Sequence, residues 1–286
     1  MGNKKKLIKK GLTELFSDNI NTFVDVFAGS GIVAMNTKAN KYIINDAENH
    51  LAELYTMFRE YSADVIIKHI EQRIDEFGLA RERTKRNEFK DKEKIQQYKA
   101  AYMKLRKQYN EQESRSVFDF YTLMFYSFSQ QFRFNNKGEF NMPCGNDCFS
   151  EKNKEYIRNG GDFFKKGNVK ISSIDFKEMD ISEFNSEDYI YLDPPYLNTT
   201  ATYTENEGWN EEDESKLYEF CENLTKNNIR FGMSNVFENK GVVNQRIANW
   251  CRDNKLKVYV FDKFTYMACG KGNSNAKEVF ITNYEI

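Results

Sequence analysis

Two of the three prolines in this 286-residue chain stand side by side, directly after an apolar run with the character of a strand. The stretch reads Tyr189-Ile190-Tyr191-Leu192-Asp193-Pro194-Pro195-Tyr196. Aromatic and β-branched residues favour extended backbone up to Leu192. Neither proline has an N–H for a sheet ladder, and each ring restricts the residue before it. The strand therefore ends at Asp193 in a rigid, extended turn. In open α/β sheets the carboxyl ends of strands are where ligands collect. This turn offers the Asp193 carboxylate, backbone carbonyls with no local partner and the flat face of Tyr196. Such a set suits an amino group carried on a planar ring, although D-P-P-Y alone also fits an ordinary strand-ending loop.

The neighbouring patterns narrow the choice. Phe23-Val24-Asp25-Val26-Phe27 reads as a strand, Ala28-Gly29-Ser30-Gly31 as a tight turn and Ile32 to Asn36 as the start of a helix. Glycines let backbone close on a ligand, and a helix N-terminus offers free N–H groups. The turn lacks the third glycine of the dinucleotide fingerprint, so alone it is a weak signal. A second strand, Lys41 to Asn45, ends at Asp46. An acid about 20 residues after the first strand suits a ribose hydroxyl pair. Asp46 also suits a helix N-cap, because Leu51, Leu54, Tyr55 and Phe58 follow at helical spacing.

From about Ser62 to Gln112 the strand–helix alternation gives way to charged helical sequence. Residues 81–107 hold eleven Lys/Arg and four acids, a surplus of +7 in a chain whose net charge is −1. Such a stretch is either a solvated helix face or a phosphate-binding one. An aromatic segment, Phe118 to Phe134, then leads into Arg133-Phe134-Asn135-Asn136-Lys137-Gly138-Glu139-Phe140-Asn141-Met142-Pro143, a hairpin turning at Lys137-Gly138. Arginine, asparagine and aromatics beside a turn suit base-edge hydrogen bonds and stacking. Beyond it come a strand at Val169–Ser172, an acid–aromatic pair at Asp175-Phe176, and the D-P-P-Y strand. A polar loop is expected at 199–214 and a helix around Leu217 to Leu224. Strands are expected at Arg230–Asn235, Lys257–Phe261 and Glu278–Tyr284, the last preceded by a loop at 270–276.

Composition sets limits. No apolar run approaches the roughly 18 residues of a membrane span, and no signal peptide is visible. Five scattered cysteines suit a reducing compartment. The expectation is a soluble cytoplasmic protein of a bacterial or phage-infected cell. Cys144-x-x-x-Cys148 has no histidine nearby, so no metal site is expected. With only His50 and His69 in the chain, catalysis by histidine has little to draw on.

In this order the motifs resemble the Dam-like DNA adenine-N6 methyltransferases in their amino-terminal-glycine-motif (α) arrangement. Gly2-Asn3-Lys4 resembles the opening G-G-K, with Asn3 in place of the second glycine. Phe23 to Gly31 resembles the S-adenosylmethionine loop, Asp46 the ribose acid, Asp175-Phe176 the pair beside the cofactor adenine and Asp193 to Tyr196 the catalytic turn. Residues 128–143 resemble the R-[YF]-N-x-x-G-x-F-N-x-P recognition segment. Met233 to Gly241 and Glu278 to Tyr284 resemble the branch that modifies GATC-type or related restriction sites. Many relatives carry Asn-Gly where this chain has Ser129-Gln130-Gln131, which leaves its target sequence open.

The resemblance implies a Rossmann-like α/β sheet formed by residues 1–60 and 146–286, with an inserted helical, hairpin-bearing recognition domain at 61–145. It implies transfer of a methyl group from S-adenosylmethionine to the N6 amino group of an adenine flipped out of duplex DNA. Asp193, Pro194, Pro195 and Tyr196 would be catalytic. Lys4, Asp25, Phe27, Gly29, Gly31, Asp46, Asp175, Phe176 and Asp193 would surround the cofactor. Arg133, Asn135 and Asn141 would read bases, Phe128 or Pro143 would wedge the opened stack, and Arg83, Lys85 and Arg86 would meet phosphates. A monomer is expected, with any cognate restriction endonuclease acting separately. The same turn would also serve a methyltransferase for RNA adenine or a protein amide. A nicotinamide-dependent oxidoreductase and a non-catalytic DNA-binding module are the rivals from other classes.

Overall fold

The computed structural model describes residues 4–83, 92–196, 209–239, 242–261, 264–267 and 273–286. It divides into two compact units, His50–Gly167 and, from both sides of that segment, Gly2–Asn49 with Asn168–Ile286.

The split unit is a sheet of β1 (Ile20–Asp25), β2 (Ala39–Asn45), β3 (Val169–Ser172), β4 (Tyr189–Leu192), β5 (Arg230–Asn239), β6 (Val242–Val243), β7 (Lys257–Val260), β8 (Phe264–Met267) and β9 (Asn273–Thr282). Seven strands follow the order β3-β2-β1-β4-β5-β9-β7, with β6 beside β5 and β8 beside β9. From β3 across to β5 every pairing is parallel, and β9 runs antiparallel between β5 and β7. The chain starts in the middle at β1, moves outward through β2 and β3, then returns to pair β4 with the other side of β1. The carboxyl ends of β1 and β4 are thus the topological switch point, the place where an open α/β sheet leaves a crevice. Asp25 ends one of these strands and Asp193 follows the other.

Strand alternation sorts the two faces. Val24, Ile190, Leu192, Phe231, Met233, Val279 and Ile281 enter one apolar core with α8 (Glu211–Lys226) and α9 (Gln245–Asp253). The opposite face carries Phe23, Tyr189, Tyr191 and Phe280, whose rings gather around Phe16 at centroid distances of 5.1–5.8 Å. Gly232 belongs to this face, where a Cβ would lie 2.2 Å from the Tyr189 hydroxyl and 2.3 Å from the Phe280 ring. No side chain but hydrogen fits there.

Several local expectations shift. The first helix, α1 (Lys5–Ile8), is a single turn closed at Lys9, and Gly11 at φ +90° opens a 3₁₀ turn at Leu12–Leu15. Likewise α2 (Ile32–Met35) is one turn. Of the polar loop expected at 199–214, residues 199–208 lie outside the described residues, and α8 begins within its last part. The Asn210 side chain accepts from the Glu212 and Asp213 N–H groups, and four acids occupy the first turn. That is a strong helix start. In the loop expected at 270–276, residues 270–272 lie outside the described residues. From Asn273 onward the backbone is strand, because ladders with β8 and β5 outweigh the poor strand propensity of Asn and Ser.

The helical unit holds α3 (Asn49–Glu60) from His50 onward, with α4 (Ala63–Phe77), α5 (Lys92–Glu111), α6 (Val117–Tyr126) and α7 (Glu151–Phe164). Ile66, Ile70 and Ile74 form the buried stripe of α4, which Ser62 caps and Gly78 ends in a left-handed turn. No helix among the described residues is long and apolar enough to cross a membrane.

Candidate active site

Three acids mark the crevice end of β1, β2 and β4. Asp25 is 1% exposed, and neither of its oxygens makes a hydrogen bond of ordinary geometry. Burial pushes its carboxyl well above the usual range, the negative charges of Asp193 and Asp46 push it further, and the Ala34 N–H offsets this only in part. A buried carboxylate without a partner is costly unless something cationic or proton-donating meets it. Asp46 accepts from the Gly29 N–H at 2.9 Å and the Glu48 N–H at 3.1 Å. Burial raises its carboxyl as well, against the pull of those two bonds. Asp46 is not the cap residue of α3, which begins at Asn49. Its carboxylate instead latches the glycine turn.

That turn needs its glycines for backbone reasons. Gly29 and Gly31 have φ of +54° and +67°, a region that L side chains rarely adopt. An added Cβ at Gly29 would meet nothing within 4 Å, so space is not the constraint. The expectation of free N–H groups at the turn is modified, since the Gly29 N–H is committed to Asp46 and the helix behind it is one turn long. A pyrophosphate would meet three carboxylates here, which disfavours the nicotinamide alternative.

Asn45, not anticipated from sequence, staples the neighbouring loop. Its amide donates to the Val26 and Ile174 carbonyls, both at 3.0 Å, and its oxygen accepts from the Ile174 N–H at 3.0 Å. This holds Asp175 and Phe176 beside the turn after β1. The Asp175 side chain accepts from the Lys177 N–H at 2.9 Å, capping a short 3₁₀ turn. Phe27 lies against Phe176 at 5.5 Å between ring centroids, and Trp209 contacts both at 6.0 and 5.7 Å. Trp209 is the second residue that sequence reading missed. Its only signal was a lone tryptophan inside a polar stretch.

At the D-P-P-Y turn, the Tyr196 hydroxyl donates to Asp193 Oδ1 at 2.8 Å. Lys4 Nζ lies 2.9 Å from the same oxygen and donates to the Tyr196 hydroxyl. Lys4, only 8% exposed, therefore stands at this turn, where the resemblance had assigned it to the cofactor. The arrangement pins the Tyr196 ring by its far end and loads the described contacts of Asp193 onto Oδ1. Pro194 is buried and Pro195 exposed. A second carboxylate approaches Lys4: Glu278 Oε1, at 3.8 Å.

In the helical unit, the expected hairpin forms. Phe134 pairs with Phe140, the Asn135 N–H donates to the Glu139 carbonyl at 2.9 Å, and Gly138 takes φ +68°. Asn135 works inside the turn: its oxygen accepts from the Lys137 and Glu139 N–H groups and its amide donates to Glu139. Arg133 Nε donates to Asn141 Oδ1 at 2.8 Å, so these two side chains act as a pair. Phe128 is 40% exposed, its N–H bonded to the carbonyl of exposed Pro143. Ser129 and Gln130 beside it both have positive φ, the kind of local strain that gathers at functional segments.

The basic stretch is less open than its composition implied. Arg81 pairs with Glu71 and Asp75, Arg83 with Asp147 at 2.8 Å, and Lys94 with Glu82. Lys85 and Arg86 lie outside the described residues. On one face of α5, Tyr102 and Arg106 donate to the Met142 carbonyl at 2.9 and 3.0 Å. Asn110, one turn further, exchanges two bonds with the Phe140 backbone. That face mounts the hairpin, while Lys92, Lys99, Lys104 and Lys107 stand exposed.

Residues 1–270 match the family of D12 class N6 adenine-specific DNA methyltransferases. The chain is 36% identical to Modification methylase StsI of Streptococcus sanguinis, across 100% of this chain and 42% of that protein. It is 33% identical to Type II methyltransferase M.FokI of Planomicrobium okeanokoites, across 99% of this chain and 42% of that one. With Type II methyltransferase M.MjaIII of Methanocaldococcus jannaschii it shares 29% identity, across 87% of this chain and 89% of that one. The chain thus spans less than half the length of the first two relatives.

Proposed function

This chain belongs to the D12 class N6 adenine-specific DNA methyltransferases, and we propose that it transfers a methyl group from S-adenosylmethionine to the N6 amino group of a flipped adenine at a short duplex DNA site. The observation that carries this reading is the orphaned Asp25 carboxylate beside Asp46 and Asp193 at the topological switch point. A site so rich in unneutralised acid fits a ligand carrying a sulfonium and an ammonium.

When bound, that ligand supplies a methyl group already activated by its positive sulfur. The protein then has to hold, orient and desolvate. Asp25 would meet the ammonium and Asp46 the ribose hydroxyls. Phe27, Phe176 and Trp209 provide apolar surface for the adenine ring of the cofactor. At the reacting centre, the Tyr196 ring would stack on the target base. Asp193 and the Pro194 carbonyl would accept the two amino hydrogens, turning the nitrogen lone pair towards the methyl group. Positioning of this kind supplies much of the rate without a histidine base. Base reading falls to the Arg133–Asn141 pair, and Phe128 with Pro143 forms the apolar wedge. Exposed lysines of α5 and Arg83 would meet phosphate, and Lys85 and Arg86, outside the described residues, are assigned the same role from the sequence. Asn135 is assigned to the turn and not to a base.

A single-base reaction needs one such site, so the proposed acting unit is a monomer. The names of the relatives support a modification role, with any cognate endonuclease acting separately. The test is transfer of labelled methyl from S-adenosylmethionine to unmethylated duplex DNA, RNA and protein in parallel, with the product base identified and its flanks mapped. N6-methyladenine at one short sequence, of GATC type or related to it, is expected. Transfer to RNA or protein alone would overturn the substrate while keeping the turn's chemistry.

A further inference from the structure

The face of the sheet that ends in Asp25 and Asp193 carries a further acid from a strand that runs the other way. In β9, Val279 and Ile281 enter the apolar core with α8 and α9. Phe280 enters the aromatic cluster on the opposite face, and by strand alternation Glu278 shares that side. Glu278 is 3% exposed, and Val279, Phe280, Ile281 and Thr282 after it are buried as well. A carboxylate does not occupy such a position without a compensating group. One such group is the Lys4 ammonium, 3.8 Å from Glu278 Oε1 and 2.9 Å from Asp193 Oδ1. One buried cation therefore serves two buried or half-buried carboxylates, only one of which belongs to the D-P-P-Y turn.

With Asp193 alone, Lys4 would form a neutral pair, and the field of the carboxylate at the reacting centre would be cancelled. Glu278 restores one negative charge to the group. In a water-poor site, a unit charge a few ångströms away is felt strongly. We propose that Glu278 is a positioning residue that balances the charge of Lys4, so that Asp193 presents an uncancelled negative charge to a cationic methyl donor. This rests on the reading of the site as a methyl-transfer site.

The donor and its product are a natural pair of probes. S-adenosylmethionine and S-adenosylhomocysteine differ by one methyl group and one positive charge on sulfur. A packing defect weakens both. A change in charge balance moves their ratio.

The experiment is calorimetric titration of the full chain with each compound at low salt. Glu278→Gln is expected to lower the affinity for S-adenosylmethionine about tenfold more than that for S-adenosylhomocysteine. Lys4→Gln removes the cation and is expected to move the ratio in the opposite direction, towards the donor. Glu278→Asp, which keeps the charge, is expected to hold the ratio within about twofold of the parent. Equal weakening of both ligands by Glu278→Gln, or shifts of the same sign for the Gln variants at 278 and 4, would overturn the proposal and leave methyl transfer standing. If Glu278→Gln does not fold, Lys4→Gln and Glu278→Asp carry the test, and a ratio unmoved by Lys4→Gln overturns it. A parent chain that binds neither compound removes the underlying reading instead.

Discussion

The crevice end of the sheet and the helical unit both bury charged groups, but they treat charge in opposite ways. In the helical unit, Asp119 is fully buried and fully served: Arg73, His69 and Gln112 all bond its carboxylate. Burial alone would raise this carboxyl, yet those hydrogen bonds hold it below its ordinary range. In the sheet unit, Asp25 is equally buried, has no bonded partner of ordinary geometry, and is raised. Satisfied charge is architecture. Charge left unsatisfied at a switch point is a site waiting for its ligand.

Breaking each arrangement should give different phenotypes. The largest effect is expected at Asp119. Asp119→Ala leaves Arg73 without its buried partner and should cost about 3–5 kcal/mol of stability in urea denaturation. Because the carboxyl is depressed, the parent's extra stability is present at neutral pH and lost as pH falls through the folded-state value. The variant's deficit should therefore shrink in acid; a deficit independent of pH would mean the network is not electrostatic.

Asp193→Ala comes next, measured on activity. We expect methyl transfer to fall by roughly 10²–10³-fold, the scale of losing one preorganised charge-stabilising group, with cofactor binding largely kept. Retained turnover would sink the assignment of the turn.

Asp25→Asn sharpens the comparison, because it should stabilise. It removes an unsatisfied buried charge, a gain of about 1–3 kcal/mol at neutral pH. The sign follows from linkage: a raised carboxyl binds its proton more tightly when folded, so the parent loses stability as pH rises from the ordinary carboxylate range through the raised folded-state value. The gain should vanish in acid, where both chains are uncharged at this position. Cofactor affinity should drop in the same variant. Denaturation curves at two pH values, paired with titration of S-adenosylmethionine, would show whether both changes occur.

Smallest is Asn110→Ala in the hairpin mount. Losing two bonds to the Phe140 backbone should cost about 1 kcal/mol. The hairpin keeps its shape but loosens on α5, so the set of methylated sequences should broaden. A map identical to the parent's would show that the mount does not affect reading.

Much of this was legible in the chain. The glycine turn, the D-P-P-Y turn, the acid after β2 and the hairpin at Lys137-Gly138 all form where the sequence indicates. Each depends on a local property: a missing N–H, a missing Cβ, or an alternation of period two. The less legible parts were those where a tertiary partner overrides local preference. Asn273 to Ala276 read as a loop, yet pairing with β8 and β5 makes them strand. Asn135 read as a base contact, but Lys137 and Glu139 already use its side chain in three hydrogen bonds. The surplus of +7 left a solvated face and a phosphate-binding one equally open, and in the fold several of its arginines and lysines turn to local acids or to the hairpin backbone.

What the sequence determined by itself is where strands must stop and where the backbone must turn, because proline and glycine impose those events within a few residues. What only the tertiary structure decided is which charges meet. Lys4 and Tyr196 lie 192 residues apart, and Glu278 reaches the same ammonium from an antiparallel strand. No local rule links these positions. Their meeting follows from the order of strands in the sheet.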